Sequence, residues 1–433
     1  MTTIPAHQEG PDPAAPEQRP PSEGGWRGRI FESFADRNFR WFYASMLGQM
    51  ASLNMQNLVR GYLTFELTGS YAALGTVFLV NAIPGLGLAL YGGVLADRVA
   101  NRKNIVLVGQ LLNAGNALAV GVLVLTDVLA FEHLLVAGFL QGGVNAIMMP
   151  ARQAMMPEVV GMRRLMNAVA LNAAGRDSVR LLAPALGGFL IAWFGAAWIY
   201  FLMAGFYTFA SAALWPVRAD ALAREDAKAR RRNTAGGLSA IKEGLRYMAG
   251  DAVMRPMLIS TIIFALLAMP YVFLMPGWVA SVLNEGPAKL GILFSLIGVG
   301  SLAGAVLIAG MEPRRRGILY LAAVAVQGVA LTGFAISDVF WITAPIVIIA
   351  GIGEAGRMSL GNVLVQSYVD DDYRGRVMSV FMMQRSLASL GTFFVGVLAS
   401  VAGVQVVIGA LAVALFVLAS VAMFMTPTLR ELD

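Results

Sequence analysis

There is no cysteine in these 433 residues and only two histidines, His7 and His133. Disulfides, thiol nucleophiles and Cys/His metal centres are therefore excluded, and no metal or other cofactor is expected. No clustered acid pair lies on one helix face, which argues against an enzyme. A glycine-rich loop ending in Lys-Ser or Lys-Thr is also missing, so nothing here would bind and hydrolyse ATP. Charge is scarce: 13% of residues are charged against 58% hydrophobic, and the mean hydropathy is +0.68. A soluble protein of this composition would expose too much apolar surface, so the chain is a polytopic membrane protein with the lipid bilayer as its partner.

Twelve apolar runs fall at about 39–62, 72–96, 105–126, 131–150, 165–191, 197–217, 255–283, 288–310, 317–337, 341–361, 376–400 and 404–425, each close to the ~20 residues a helix needs to span hydrocarbon. That length excludes β-barrel strands, and the fold class is all-α. Lys and Arg near span ends stay on the cytoplasmic side. Placing the N-terminus inside puts every basic loop there. Only Lys289 is left outside, and Arg60, Arg176, Arg180, Arg357 and Arg385 fall within spans. Both termini are then cytoplasmic in a plasma (inner) membrane. The sequence pI of about 9.7 reports loops beside anionic headgroups, and no nucleic-acid partner is needed to explain it.

The sequence also repeats. Gly92–Lys103, reading GGVLADRVANRK, is matched by Gly304–Arg315, reading GAVLIAGMEPRR, and the same offset carries Arg164-Leu165-Met166 onto Arg376-Val377-Met378. A six-span unit used twice gives two pseudo-symmetric halves that rock about a central site. The expected division is a disordered, Pro-rich tail over 1–37, a first half over 38–217, a linker over 218–254, a second half over 255–425 and a tail over 426–433. Within the linker Leu238, Ile241, Leu245 and Met248 are spaced by three and four, predicting an interfacial amphipathic helix.

Gly92-Gly93-Val94-Leu95-Ala96-Asp97-Arg98 followed by Arg102-Lys103 resembles the span 2–3 signature of the major facilitator superfamily. The resemblance covers nearly the whole chain and implies the major facilitator fold. Its glycines Gly92 and Gly93 let helices approach closely. Asp97, with Arg98, Arg102 and Lys103, is the candidate gate at the inner ends of the helices; the three basic residues also read as topology determinants. Pro150-Ala151-Arg152-Gln153-Ala154, Pro157-Glu158, Leu165-Met166-Asn167-Ala168 and Arg180 through Gly188 resemble the enterobactin-exporter-like (transmembrane secretion effector) branch. Pro184 with Gly187 and Gly188 is similar to the tail of the span 5 signature of proton-driven antiporters. In span 4, Gly138 stands where a related exporter signature has an arginine.

Helix geometry supplies pathway candidates independently. Ser45, Gln49, Ser52, Gln56 and Arg60 share one stripe of span 1, and Asn172, Arg176 and Arg180 share one of span 5. Such stripes cannot face lipid, so Gln49, Gln56, Arg60, Asn172, Arg176 and Arg180 are candidate substrate-pathway residues, and Arg385 joins them as an intramembrane arginine in excess of the acids within spans. Arg60 has a second reading, snorkelling to the interface. Asp177 and Glu354 are the acids expected inside spans and the candidates for proton coupling; the alternative is internal neutralisation by Arg180 and Arg357, each one turn away.

The resemblance and the stripes together imply a secondary transporter, monomeric, exporting an amphipathic small molecule such as a siderophore, antibiotic or metabolite by proton-coupled alternating access. A lysophospholipid flippase, a solute uptake facilitator and a non-transporting membrane sensor are the other readings.

Overall fold

The structure is a computed structural model, and it describes residues 32–98, 102–218, 238–311, 314–370 and 373–432. Of the tail expected to be disordered over 1–37, residues 1–31 lie outside the described residues, as does the linker stretch over 219–237, whereas Glu32–Ala35 form an ordered 3-10 turn with Ser33 buried. After a 3-10 turn at Glu32–Ala35 the first half comprises α1 (Arg37–Thr68), α2 (Tyr71–Arg98), α3 (Arg102–Leu125), α4 (Phe131–Gly161), α5 (Arg164–Phe194) and α6 (Ala196–Leu214). The linker helix α7 (Leu238–Gly250) follows. The second half comprises α8 (Met254–Ala268) with α9 (Pro270–Ser281), then α10 (Pro287–Ala309), α11 (Arg316–Ile336), α12 (Phe340–Tyr368), α13 (Arg374–Ala402) and α14 (Val404–Met425), ending in the short α15 (Pro427–Arg430).

With α8 and α9 counted as one broken span, the helices give twelve crossings. No strand occurs among the described residues, as lipid requires when backbone groups can bond only within a helix. Among the described residues nine spans are long and apolar enough to cross a bilayer by length and composition; α2 and α13 add the shorter apolar stretches Tyr71–Gly85 and Leu387–Ala402. The remaining crossing, α1, carries the polar stripe.

Local chemistry sets the helix ends. Asp36 caps α1 by accepting from the Asn38 amide at 2.7 Å, and Gly69 ends it with φ +60°, its N–H on the Phe65 carbonyl. Gly161, at φ +69°, divides α4 from α5. Pro270, which has no amide hydrogen, begins α9 and breaks the seventh span. Several helices outrun their apolar cores: α1 continues to Thr68, α4 to Gly161 and α12 to Tyr368. Large apolar side chains on the perimeter, Trp193, Trp341 and Val401 among them, face outward as lipid-facing groups do.

Call the side on which α1 begins the near face and the side on which it ends the far face. Two seams join the halves toward the far face. On one, a Cβ on Gly291 of α10 would lie 2.5 Å from the Pro184 carbonyl of α5, and Gly188 of α5 abuts Pro287 and Gly291. On the other, a Cβ on Gly75 of α2 would lie 2.8 Å from the Phe393 Cα of α13, Gly396 abuts Tyr71, and Ser400 Oγ accepts from the Ala72 amide at 2.9 Å. Shifting Leu181, Pro184 and Gly188 by the repeat offset gives Phe393, Gly396 and Ser400, so one contact is built twice. Small residues are what allow backbones this close in a bilayer. One turn nearer, on the same α5 face, Asp177 is exposed, and on α10 Leu302 is exposed. The halves therefore diverge toward the near face.

A side chain placed in a seam should open it, at an overpacking cost of about 1–3 kcal/mol. In Gly291→Val we expect a single cysteine introduced at the fully buried Thr392 to react with a membrane-impermeant maleimide at least several-fold faster than in the Gly291 parent. Equal labelling rates would mean that the seam does not hold the far face shut.

Candidate functional site

The stripe predicted on α1 exists, and it faces into the first half. Ser45, Gln49, Ser52, Gln56, Arg60 and Thr64 are all buried. Ser52 donates to the Met203 carbonyl at 3.2 Å, and Gln110 of α3 donates to Ser45 at 3.1 Å. Arg60 does not snorkel: it is 2% exposed, donates from Nη1 to Gln141 Oε1 of α4 at 2.8 Å, and lies 5.3 Å from the centre of the Phe78 ring. Gln141 in turn donates to Gln56, which also accepts from the Tyr207 hydroxyl at 3.5 Å. Gly138 faces the same guanidinium: a Cβ there would sit 3.6 Å from Arg60 Nη1, in ordinary contact. The guanidinium lacking at position 138 of α4 is thus present at that place, carried by α1.

A second buried guanidinium lies closer to the near face. Arg152, 5% exposed, donates to Gln49, to Ser45 Oγ at 3.2 Å and to the Phe42 carbonyl at 3.4 Å. Its sequence setting, just past the expected end of span 4, suggested a loop cation; the extra length of α4 puts it inside.

Between the halves the charges pair across the interface. Arg180 of α5 donates from Nη2 to Glu354 Oε1 of α12 at 2.7 Å. Each residue lies about fourteen positions, or ~21 Å, from the far end of its helix, which is mid-bilayer depth. The two one-turn pairings considered from sequence, Asp177 with Arg180 and Glu354 with Arg357, give way to this contact: Arg357 Nε donates instead to Gln327 Oε1 of α11 at 3.2 Å. Tyr271, the second residue of α9, is buried within electrostatic reach of Glu354, Arg180 and Arg357, so the break at Pro270 delivers a phenol to this centre. On α5, Asn172 is half-buried and Arg176 and Asp177 are exposed. Pro184 and Gly188 form the far seam, whereas Gly187 packs on Met55 and Ile199 inside the first half.

At the near face Arg102 pairs with Glu158 of α4, a buried acid that the expected end of span 4 near residue 150 had left outside the membrane. Lys103 donates to the carbonyls of Trp215 and Val217, the latter at 3.0 Å, capping the end of α6. The linker helix α7 docks on α13 through Glu243–Arg376 at 3.1 Å and a Tyr247–Tyr373 ring stack at 4.4 Å. Gly92, Gly93, Asp97 and Arg98 lie on the α2 backbone and Arg385 on that of α13, but the surroundings of these five residues lie outside the described residues.

Sequence reasoning missed Glu158, Arg152, Gln141, Gln327 and Tyr271 as site residues. Length of α4 was the missing signal for the first two; the others are neutral and become visible only through their partners. An apolar recess of about 560 Å³ between α2, α3 and α4 is lined by the exposed side chains of Val108, Leu112, Phe139 and Leu140, and none of the paired charges lines it.

Residues 30–433 match the family described as transmembrane secretion effector. The multidrug efflux pump Tap of Mycolicibacterium fortuitum is 28% identical over 379 residues, covering 86% of this chain and 91% of that protein. The staphyloferrin A transporter of Staphylococcus aureus is 22% identical over 382 residues, covering 86% and 90%. Among solved structures the nucleoside transporter NupG superposes with a TM-score of 0.73 at 14% identity, over 90% of this chain and all of that one. A bacterial homologue of the lysosomal transporter Spinster, solved inward-facing and unoccupied, gives 0.67 at 14%, over 94% and 98%. At these identities the structures establish the fold.

Removing one partner from a buried polar network strands the other, at about 1–3 kcal/mol. Gln141→Leu should therefore lower the thermal midpoint of the purified protein by several degrees, while Leu112→Ala in the lipid-facing recess should shift it far less. A Gln141→Leu midpoint equal to wild type would show that Arg60 is not held by this contact.

Proposed function

The chain belongs to the transmembrane secretion effector family of major facilitator transporters, and from that premise we propose that it exports amphipathic small molecules across the plasma membrane by proton-coupled alternating access. The observation that carries the reading is the Arg180–Glu354 pair, which ties α5 of one half to α12 of the other at mid-depth. The names of the relatives, a multidrug efflux pump and a siderophore transporter, support export of small organic molecules. The concentration of Lys and Arg on the near face supports a cytoplasmic assignment for that side, so the arrangement with its far seams closed is open to the cytoplasm.

In the proposed cycle, substrate enters from the near face while Glu354 is held ionised by Arg180. Closing the near face and opening the far seams separates α5 from α12. Glu354 then loses that compensation and takes a proton from outside, and Arg180 turns to Asp177, one turn away on its own helix. Return of the empty carrier restores the pair and releases the proton inside. Asp97, with Arg98, Arg102 and Lys103, would act at the near-face closure, where Arg102 already engages Glu158. Gln49 and Gln56 would support the pathway from inside the first half, and Asn172, Arg176 and Arg385 would line its near-face portion.

Proteoliposomes containing the full chain and assayed with ethidium should show transport that accelerates with an imposed pH gradient. Glu354→Gln should abolish the gradient response, and Asp177→Asn should reduce it several-fold. Gradient-driven transport in Glu354→Gln at the wild-type rate would remove Glu354 from coupling, and a wild type indifferent to the gradient would remove proton antiport. Asp97→Asn should insert normally but transport at least ten-fold more slowly; full activity at matched expression would count against the gate.

A further inference from the structure

We propose that Asn57 and Arg60 of α1 form a subsite for an anionic group of the transported molecule, a reading that rests on the transport function above. Four observations bear on it. Asn57 is exposed, and it lies on the α1 face that, one turn further, meets the second half: a Cβ on Gly61 would touch Pro276 Cγ of α9 at 2.8 Å. Asn57 therefore looks into the space between the halves, directly beneath their contact. Arg60 reaches the same place, its Nη2 lying 3.5 Å from Asn57 Oδ1, a distance too long for a strong bond and easily given up to a better acceptor. Among the described residues Arg60 pairs with no carboxylate, and its Nε has no acceptor although it is buried. What holds the cation is neutral: the Gln141 amide oxygen, the Asn57 amide oxygen and the face of Phe78.

A guanidinium at membrane depth without a carboxylate is costly, and such groups are retained where a ligand completes them. Three of its features fit an anion. The planar fork is suited to two oxygens of one group, Asn57 can turn its amide N–H toward the same group, and Gln141 fixes the other side of the fork through its bond to Gln56. Asn57 lies about eleven residues from the far end of α1, or ~17 Å, so the subsite stands within a helical turn of the depth of Arg180 and Glu354. The second half has no equivalent, because the repeat offset carries Asn57 and Arg60 onto Met269 and Val272. The molecule would thus be held by its anionic end at α1, leaving its apolar body toward the second half.

The test uses two dyes with the same xanthene ring and opposite charge, carboxyfluorescein and rhodamine 6G, and reads their binding to the detergent-purified full chain by fluorescence anisotropy. Carboxyfluorescein should bind wild type, lose at least ten-fold in affinity in Arg60→Gln and several-fold in Asn57→Ala, and keep an intermediate affinity in Arg60→Lys. Rhodamine 6G should be unaffected by Arg60→Gln or bind more tightly. Lys289→Gln, which removes a cation at the far-face end of α10 paired with Glu285, should leave both dyes unchanged. If Arg60→Gln fails to yield monodisperse protein, Asn57→Ala and Arg60→Lys decide the matter with the same expected order. The subsite is overturned if wild type does not bind carboxyfluorescein, if the Asn57 and Arg60 variants bind it like wild type, or if Lys289→Gln weakens it equally. Failure of transport is a separate result: dyes that bind in this pattern yet never cross in proteoliposomes would contradict the carrier reading and leave the subsite standing.

Discussion

An arginine or glutamate held at the middle of a bilayer is costly unless it is paired, so its partners come from other helices, and the arrangement of those helices is fixed to a large degree by where the partners are. Arg60 and Arg152 gather α1, α3 and α4 into one half through glutamines, serines and a backbone carbonyl. Arg357 joins α11 to α12 through Gln327. Arg180 and Glu354 join the halves to each other. Lipid cannot supply the hydrophobic drive that organises a soluble core, and close backbone packing at Gly75, Gly188, Gly291 and Gly396 takes its place.

Duplication explains the seams but not the polar centre. The seam residues of α5 map onto those of α13, which gives the halves two equivalent contacts toward the far face. Glu354, by contrast, maps onto Gly142, where an added Cβ would collide with the Asn81 carbonyl, and Arg180 maps onto Thr392. Symmetry is kept at the seams and broken at the polar centre. A carboxylate in one half facing a guanidinium in the other, with Asp177 a turn away, is a contact whose strength depends on how the halves sit, and that is the property a coupling site must have.

Much of this was legible in the sequence. Hydropathy located twelve crossings, the repeat located two halves, the spacing of Leu238, Ile241, Leu245 and Met248 located α7, and the i, i+3, i+4 pattern located the buried stripe of α1. What the pattern could not give was direction: Gln49, Gln56 and Arg60 share a face, but only the packing of α4 and α6 against it shows that this face turns into the first half and that Asn57 turns out of it. The near-face acid Glu158 was hidden because hydropathy ends where apolar residues end, whereas α4 continues as helix for another three turns. Pairing was least legible. Residues one turn apart on a helix are obvious partners on paper, yet Arg180 reaches Glu354 across 174 positions of sequence, a choice made by helix packing.

The central claim is that the state of Glu354 governs which face is open. Because the chain lacks cysteine, spin labels at Trp193→Cys on α5 and Val401→Cys on α13, both exposed at the far face, report the separation of the halves without background. Their distance distribution, measured by pulsed dipolar spectroscopy on the reconstituted full chain, should move to longer values as pH falls, and Glu354→Gln should hold the longer values already at neutral pH. A wild-type distribution unchanged across pH, or a Glu354→Gln variant that titrates as wild type does, would contradict it.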